Sequence, residues 1–91
     1  MARRRGDVVN SHTLTLHGET LRVGSRTWSA HLLGAQTNAG LRCVHLALHG
    51  VPTYSVLLKI SSNTDNHEAV HALEWWLLNP GREDGDVIEV I

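Results

Sequence analysis

An α+β domain built mostly from antiparallel strands is the fold class this sequence predicts, on three observations. Apolar and polar residues alternate through the first two thirds of the chain, the period-2 pattern of half-buried strands. Glycine-containing turn pairs interrupt that alternation at short intervals, as successive hairpins require. Near residue 64 the period becomes that of a helix, which Pro80-Gly81 stops. The expected architecture is a five-strand antiparallel β-meander with one α-helix packed on its inner face and a C-terminal strand at an edge.

Each element follows in order. Residues 1–11 read as a flexible basic tail, and 12–91 as a single domain. Leu14 and Leu16 alternate with threonines, and Gly18-Glu19 suits a two-residue type II′ turn. That turn sets Leu16 opposite Leu21 and Leu14 opposite Val23. Gly24-Ser25 makes a second tight turn that places Leu21 opposite Trp28, and Ala30 and Leu32 continue the same face. Gly34 to Gly40 reads as a polar link. Pairing Leu33 with Leu41 across it brings Ala30 to Val44. Val44, Leu46 and Leu48 then face inward, and the turn at Gly50-Val51-Pro52 leads into Tyr54, Val56, Leu58 and Ile60. A one-residue slip flips every side chain to the other face, yet the same parity survives all four connections.

Thr64 or Asp65 is placed to cap a helix running to about Asn79, and Asp65 with Glu68 approximates a capping box. At helical spacing Ala69, Val70, Leu73, Trp76 and Leu77 form an apolar stripe, while His67, His71, Glu74, Trp75 and Leu78 lie opposite. Arg82 to Asp86 reads as a charged loop and Val87 to Ile91 as the last strand.

Composition narrows the class. With 91 residues, 42% hydrophobic and 19% charged, the chain is neither disordered nor collagen-like. A chain of this length buries roughly 64% of its unfolded surface, enough for one modest core. Cys43 is the single cysteine, which excludes an internal disulfide and suits a reducing, cytoplasmic setting. Asp7 to Thr13 is polar where a signal peptide needs an apolar run. No stretch approaches the ~18 apolar residues of a membrane span, so no membrane partner is expected. Charge is divided: residues 1–60 carry a net +5 and residues 61–91 a net −6. Such polarity either compensates within the fold or orients an anionic partner or a second copy.

His67-Glu68-Ala69-Val70-His71 has the His-Glu-x-x-His pattern. On a helix it sets two imidazoles one turn apart, able to grip one zinc ion, with a glutamate beside them as base. These five residues resemble the motif of the zinc-dependent metalloproteases. The resemblance implies His67 and His71 as ligands and Glu68 as general base. It departs from that family's extended pattern, because Glu74 and Leu77 stand where a Gly and a third His would be. Glu74 shares the histidines' face and is the candidate third ligand. A second metal candidate is His31, Cys43 and His45 on the outer sheet face, where the register above sets His31 nearly opposite Cys43. Apart from possible zinc, no cofactor is expected. No nucleophile elbow, phosphate-binding glycine loop or Cys-x-x-Cys occurs, and the reading leans away from an enzyme.

Two further features concern partners. Arg3, Arg4, Arg5, Arg22 and Arg42 are a candidate surface for single-stranded nucleic acid, with the tail and the sheet face acting together. Such modules display aromatic stacking platforms, whereas Trp28 and Tyr54 take inward parity here and the pI is near 6.6. Trp75 and Leu78 lie beside His71 on the otherwise polar helix side, and Leu57 and Ala47 lie on the outer sheet face. Exposed tryptophan marks interaction hot spots. The favoured expectation is a small non-catalytic protein-interaction module that self-associates as a homodimer. Trp75, Leu78, His71 and Leu57 are its contact residues.

Overall fold

The computed structural model describes residues 16–61 and 63–90. Strands β1 (Thr20–Val23), β2 (Arg26–Asn38), β3 (Leu41–His49) and β4 (Tyr54–Ser61) form an antiparallel meander, and helix α1 (Asn66–Leu78) leads to β5 (Val87–Val90). The sheet order is β1-β2-β3-β4-β5, with β5 parallel to β4. The α+β class and the C-terminal edge strand are as expected. The sheet is nevertheless mixed, and among the described residues its meander has four strands instead of five. The parallel pair follows from the connection. A 13-residue helix spans ~20 Å, which carries the chain back along β4 before it re-enters the sheet.

The expected first strand is not formed at Leu16. Leu16 is helical and buried, and His17-Gly18 is a turn. The Gly18 N–H donates to the Ala30 carbonyl, and the Ala30 N–H donates to the Glu19 carbonyl, both at 2.8 Å. Residues 18 and 19 are therefore bonded to β2 and cannot form the centre of a hairpin facing Leu21. Leu14 and the basic tail lie outside the described residues. The next turn matches its expectation: Gly24, at φ +65°, reverses the chain and Leu21 pairs with Trp28.

The link from Gly34 to Gly40 is where the expected register fails. β2 continues through it to Asn38, and a two-residue turn at Ala39-Gly40, both at positive φ, joins β3. This is the turn geometry whose twist suits a tight hairpin. Ala30 consequently pairs with Leu48 instead of Val44, and Leu41 pairs with Asn38 instead of Leu33. A bulge between Leu32 and Gly34 absorbs one residue. The face assignment survives the shift, since Trp28, Ala30, Val44, Leu46 and Leu48 are all buried in one cluster.

That cluster also takes Val56, Leu58 and Ile60 from β4, Ile88 from β5, and Ala69, Leu73, Trp76 and Leu77 from α1. The helix is started by Asp65, whose carboxylate accepts the Glu68 N–H at 2.9 Å. Its neighbouring strands are β1 and β5, the two edges of the sheet. The sheet therefore curls enough to bring both edges to one helix.

Two polar side chains serve the core directly. The indole N–H of Trp28 donates to the Pro52 carbonyl at 2.8 Å, and an added Cβ on Gly50 would overlap that ring. Only glycine fits this close approach. Arg42 is buried, with Nη2 donating to the carbonyls of Thr64 (2.6 Å) and Ser61 (3.4 Å). Burial lowers its pKa from the ordinary guanidinium value. The expected surface position of Arg42 is thereby corrected. It lies on the inward parity of β3 and ties that strand to the β4–α1 connection.

Candidate functional site

The exposed side of α1 carries the largest unsatisfied apolar surface of the helix. Trp75 is 66% exposed and Leu78 59% exposed. They stand at i and i+3 and so form one ridge. A shallow groove runs along each flank. The seam with β1 is lined by Arg22, Val23 and Gly24 together with His71 and Glu74. The seam with β5 is lined by Ala72, Pro80, Ile88 and Glu89. Both grooves share Trp75 and Leu78. The sequence shows the ridge, but it does not show the grooves. Those depend on both sheet edges reaching the helix.

Trp76, the next residue, has the opposite environment. Its ring meets Tyr54 edge-on, with centroids 5.1 Å apart. Its indole N–H donates to Oδ2 of Asp86 at 2.9 Å, an oxygen that also accepts the Glu83 N–H at 2.9 Å. The Glu83 backbone N–H, followed by the Trp76 indole, favours the charged carboxylate and holds Asp86 below the usual carboxylate range. Arg82 donates to the Tyr54 hydroxyl at 2.9 Å, and Ser55 N–H donates to Asp84. The loop after the helix thus folds over Trp76 and leaves Trp75 open.

The other candidates are dispersed. His71 belongs to the Trp75 groove, whereas Leu57 lines a separate trough on the outer sheet face with Cys43, His45 and Lys59. Ala47 is buried. Arg22 is exposed at the β1 seam, and Arg3, Arg4 and Arg5 lie outside the described residues.

The expected grouping of His31 with Cys43 and His45 is not formed. His31 pairs with Ala47, while Cys43 pairs with Gln36 and Lys59. Four residues along a strand separate His31 from Cys43 by ~13 Å. His45 instead shares a hydrogen bond with the Ser55 hydroxyl at 3.0 Å. The register that misplaces Ala30 also misplaces this set. His31 lies beside His17 and His49, with ring centroids 4.8 and 5.4 Å away. Nδ1 of His17 accepts the Leu32 N–H at 3.0 Å, so the neutral ring carries its proton on Nε2.

His67 and His71 are exposed and nearly parallel, with centroids 6.4 Å apart. Glu74 approaches only His71, at 3.7 Å. Glu68 is exposed in the first helical turn. Among the described residues, no three His, Cys, Asp or Glu side chains converge in a geometry suited to a metal ion.

No protein-family model, curated protein or solved structure matches the chain. No helix of the described residues is long and apolar enough to cross a membrane.

Proposed function

We propose that the protein is a non-catalytic interaction module, and that the Trp75–Leu78 ridge of α1 is its contact surface for another protein chain. The observation that carries this reading is the pair of adjacent apolar side chains at 66% and 59% exposure, set between two grooves. An exposed tryptophan offers a large rigid apolar surface with few rotamers to freeze, which is why it recurs at hot spots. Leu78 widens the apolar strip, and His71 with Glu74 supplies a polar rim. Self-association is the simplest form of this function, and a homodimer is its expected state.

Sedimentation velocity over a concentration series tests the proposal. Wild-type protein should associate, and Trp75→Ala should weaken that association by about 30-fold, the effect of losing a ~2 kcal/mol hot spot. The variant's far-UV spectrum should stay unchanged. Wild-type protein that stays monomeric throughout the series would remove self-association. A dimer insensitive to Trp75→Ala would place the interface elsewhere.

A further inference from the structure

We propose that His17 is a proton-operated latch: its neutral ring pins the turn ahead of β1 to strand β2, and protonation of that ring releases it. The device uses none of the residues of the Trp75–Leu78 ridge and stands apart from the interaction reading.

The β1-facing edge of β2 shows why the ring matters. β1 pairs with β2 from Val23 opposite Arg26 to Thr20 opposite Ser29. Past Ser29 two backbone bonds continue the contact, and both fall on Ala30. Its N–H donates to the Glu19 carbonyl and its carbonyl accepts the Gly18 N–H, each at 2.8 Å. Alternate residues of a strand point their backbone groups to the same neighbour, so the next N–H on this edge is that of Leu32. A regular ladder would meet it with a carbonyl. Here the acceptor is Nδ1 of His17, at 3.0 Å. One rung is therefore made by a group that titrates near neutral pH, which no carbonyl does. The turn it holds also carries Leu16, whose side chain is buried in the core cluster and whose carbonyl accepts the Glu19 N–H at 3.2 Å.

A proton on Nδ1 makes both ring nitrogens donors. The ring then meets the Leu32 N–H donor to donor, and the bond is lost. Nothing close by compensates the charge. The ring facing His17 from β2 is His31, at 4.8 Å between centroids, and beyond it His49 of β3 lies 5.4 Å from His31. Glu19 is the acidic residue of the turn itself, yet among the described residues no carboxylate oxygen lies within 4.0 Å of these three rings. Protons on His31 or His49 only add like charge beside His17. The sign follows. The rung is present above the range where imidazoles ordinarily titrate, near ~6.5, and is lost as pH falls through it. The turn then keeps its two bonds to Ala30 and loses the third attachment, at Leu32.

Nitrogen–proton correlation spectra recorded from about pH 8 to about pH 5 test the latch. At the alkaline end the His17 ring should carry its proton on Nε2 and leave Nδ1 bare. As the ring charges, the Leu32 amide signal should shift with the same midpoint. Its protection from exchange, corrected for the intrinsic effect of pH, should fall about 5-fold, as for the loss of one net hydrogen bond. The Ala30 amide should stay protected. In His17→Asn the side-chain oxygen stands as many bonds from the backbone as Nδ1 and does not titrate, so Leu32 protection should no longer vary with pH. His31→Gln and His49→Gln should both keep the wild-type response at Leu32. A His17 ring protonated on Nδ1 at alkaline pH, or a Leu32 amide that ignores the His17 titration, would overturn the latch, and both are read on the wild-type protein. A pH response at Leu32 that persists in His17→Asn would overturn it as well and pass the role to His31 or His49.

Discussion

Trp75 and Trp76 are consecutive residues of one helix, and the two sides of α1 they occupy follow different rules. On the inner side every strong polar group near Trp76 is matched: the indole bonds to Asp86, Asp86 also accepts the Glu83 N–H, and Tyr54 is bonded to Arg82. On the outer side Trp75 has 66% of its surface in solvent. Helical geometry sets adjacent residues ~100° apart, so a stripe wide enough for Ala69, Leu73, Trp76 and Leu77 leaves Trp75 outside it. What distinguishes the two tryptophans is therefore position and not chemistry. One of them completes the fold, and the other stays in solvent, where the proposed function gives it a partner.

Truncating each tryptophan separates these roles most strongly. Trp76→Ala should destabilise the fold by about 3–5 kcal/mol, as for deletion of a large buried aromatic. Trp75→Ala should change stability by no more than about 0.5 kcal/mol. Urea unfolding of both variants under dilute conditions checks the contrast, and equal losses would erase it.

A smaller effect should follow pH. Because hydrogen bonds lower the folded pKa of Asp86, its ionisation favours the folded state above the unfolded carboxylate value of ~3.9. That contribution is lost as pH falls through the lower folded value. Acid should loosen the Trp76 side of the helix. Asp86→Asn should remove this part of the acid sensitivity, measured as unfolding midpoint against pH. An unaltered pH profile in that variant would show that the Asp86 hydrogen bonds contribute nothing to it.

Much of the fold was legible because local chemistry decided it. Gly24-Ser25 fixes the Leu21–Trp28 pair, alternation fixes the inward face of Val44, Leu46 and Leu48, and Asp65 caps the helix. The β2–β3 register was not legible. Alanine at a positive-φ turn position carries no turn signal, so Ala39-Gly40 hides the hairpin that an Asn-Gly pair would announce. The bulge near Leu33 is equally silent, and the His31–Cys43–His45 grouping falls with it. Arg42 misleads for a different reason: a charged residue at an inward position reads as surface until carbonyls of Ser61 and Thr64 arrive to meet it. The exposed ridge followed from helical periodicity alone. Its flanking grooves required knowing that β1 and β5 both reach the helix.

The indole N–H signals in a nitrogen–proton correlation spectrum test the contrast most directly, because the chain has 3 tryptophans and each has its own environment. Trp28 and Trp76 donate to Pro52 and Asp86 at 2.8 and 2.9 Å, so their signals should exchange slowly with water and hold position on dilution. The Trp75 signal, assigned by its loss in Trp75→Ala, should exchange fast in dilute protein. It should shift progressively, and become protected, as concentration rises. A Trp75 signal that stays fixed and solvent-exposed from dilute to concentrated protein, or a Trp76 signal that moves in its place, would contradict the assignment of the outer helix face to self-association.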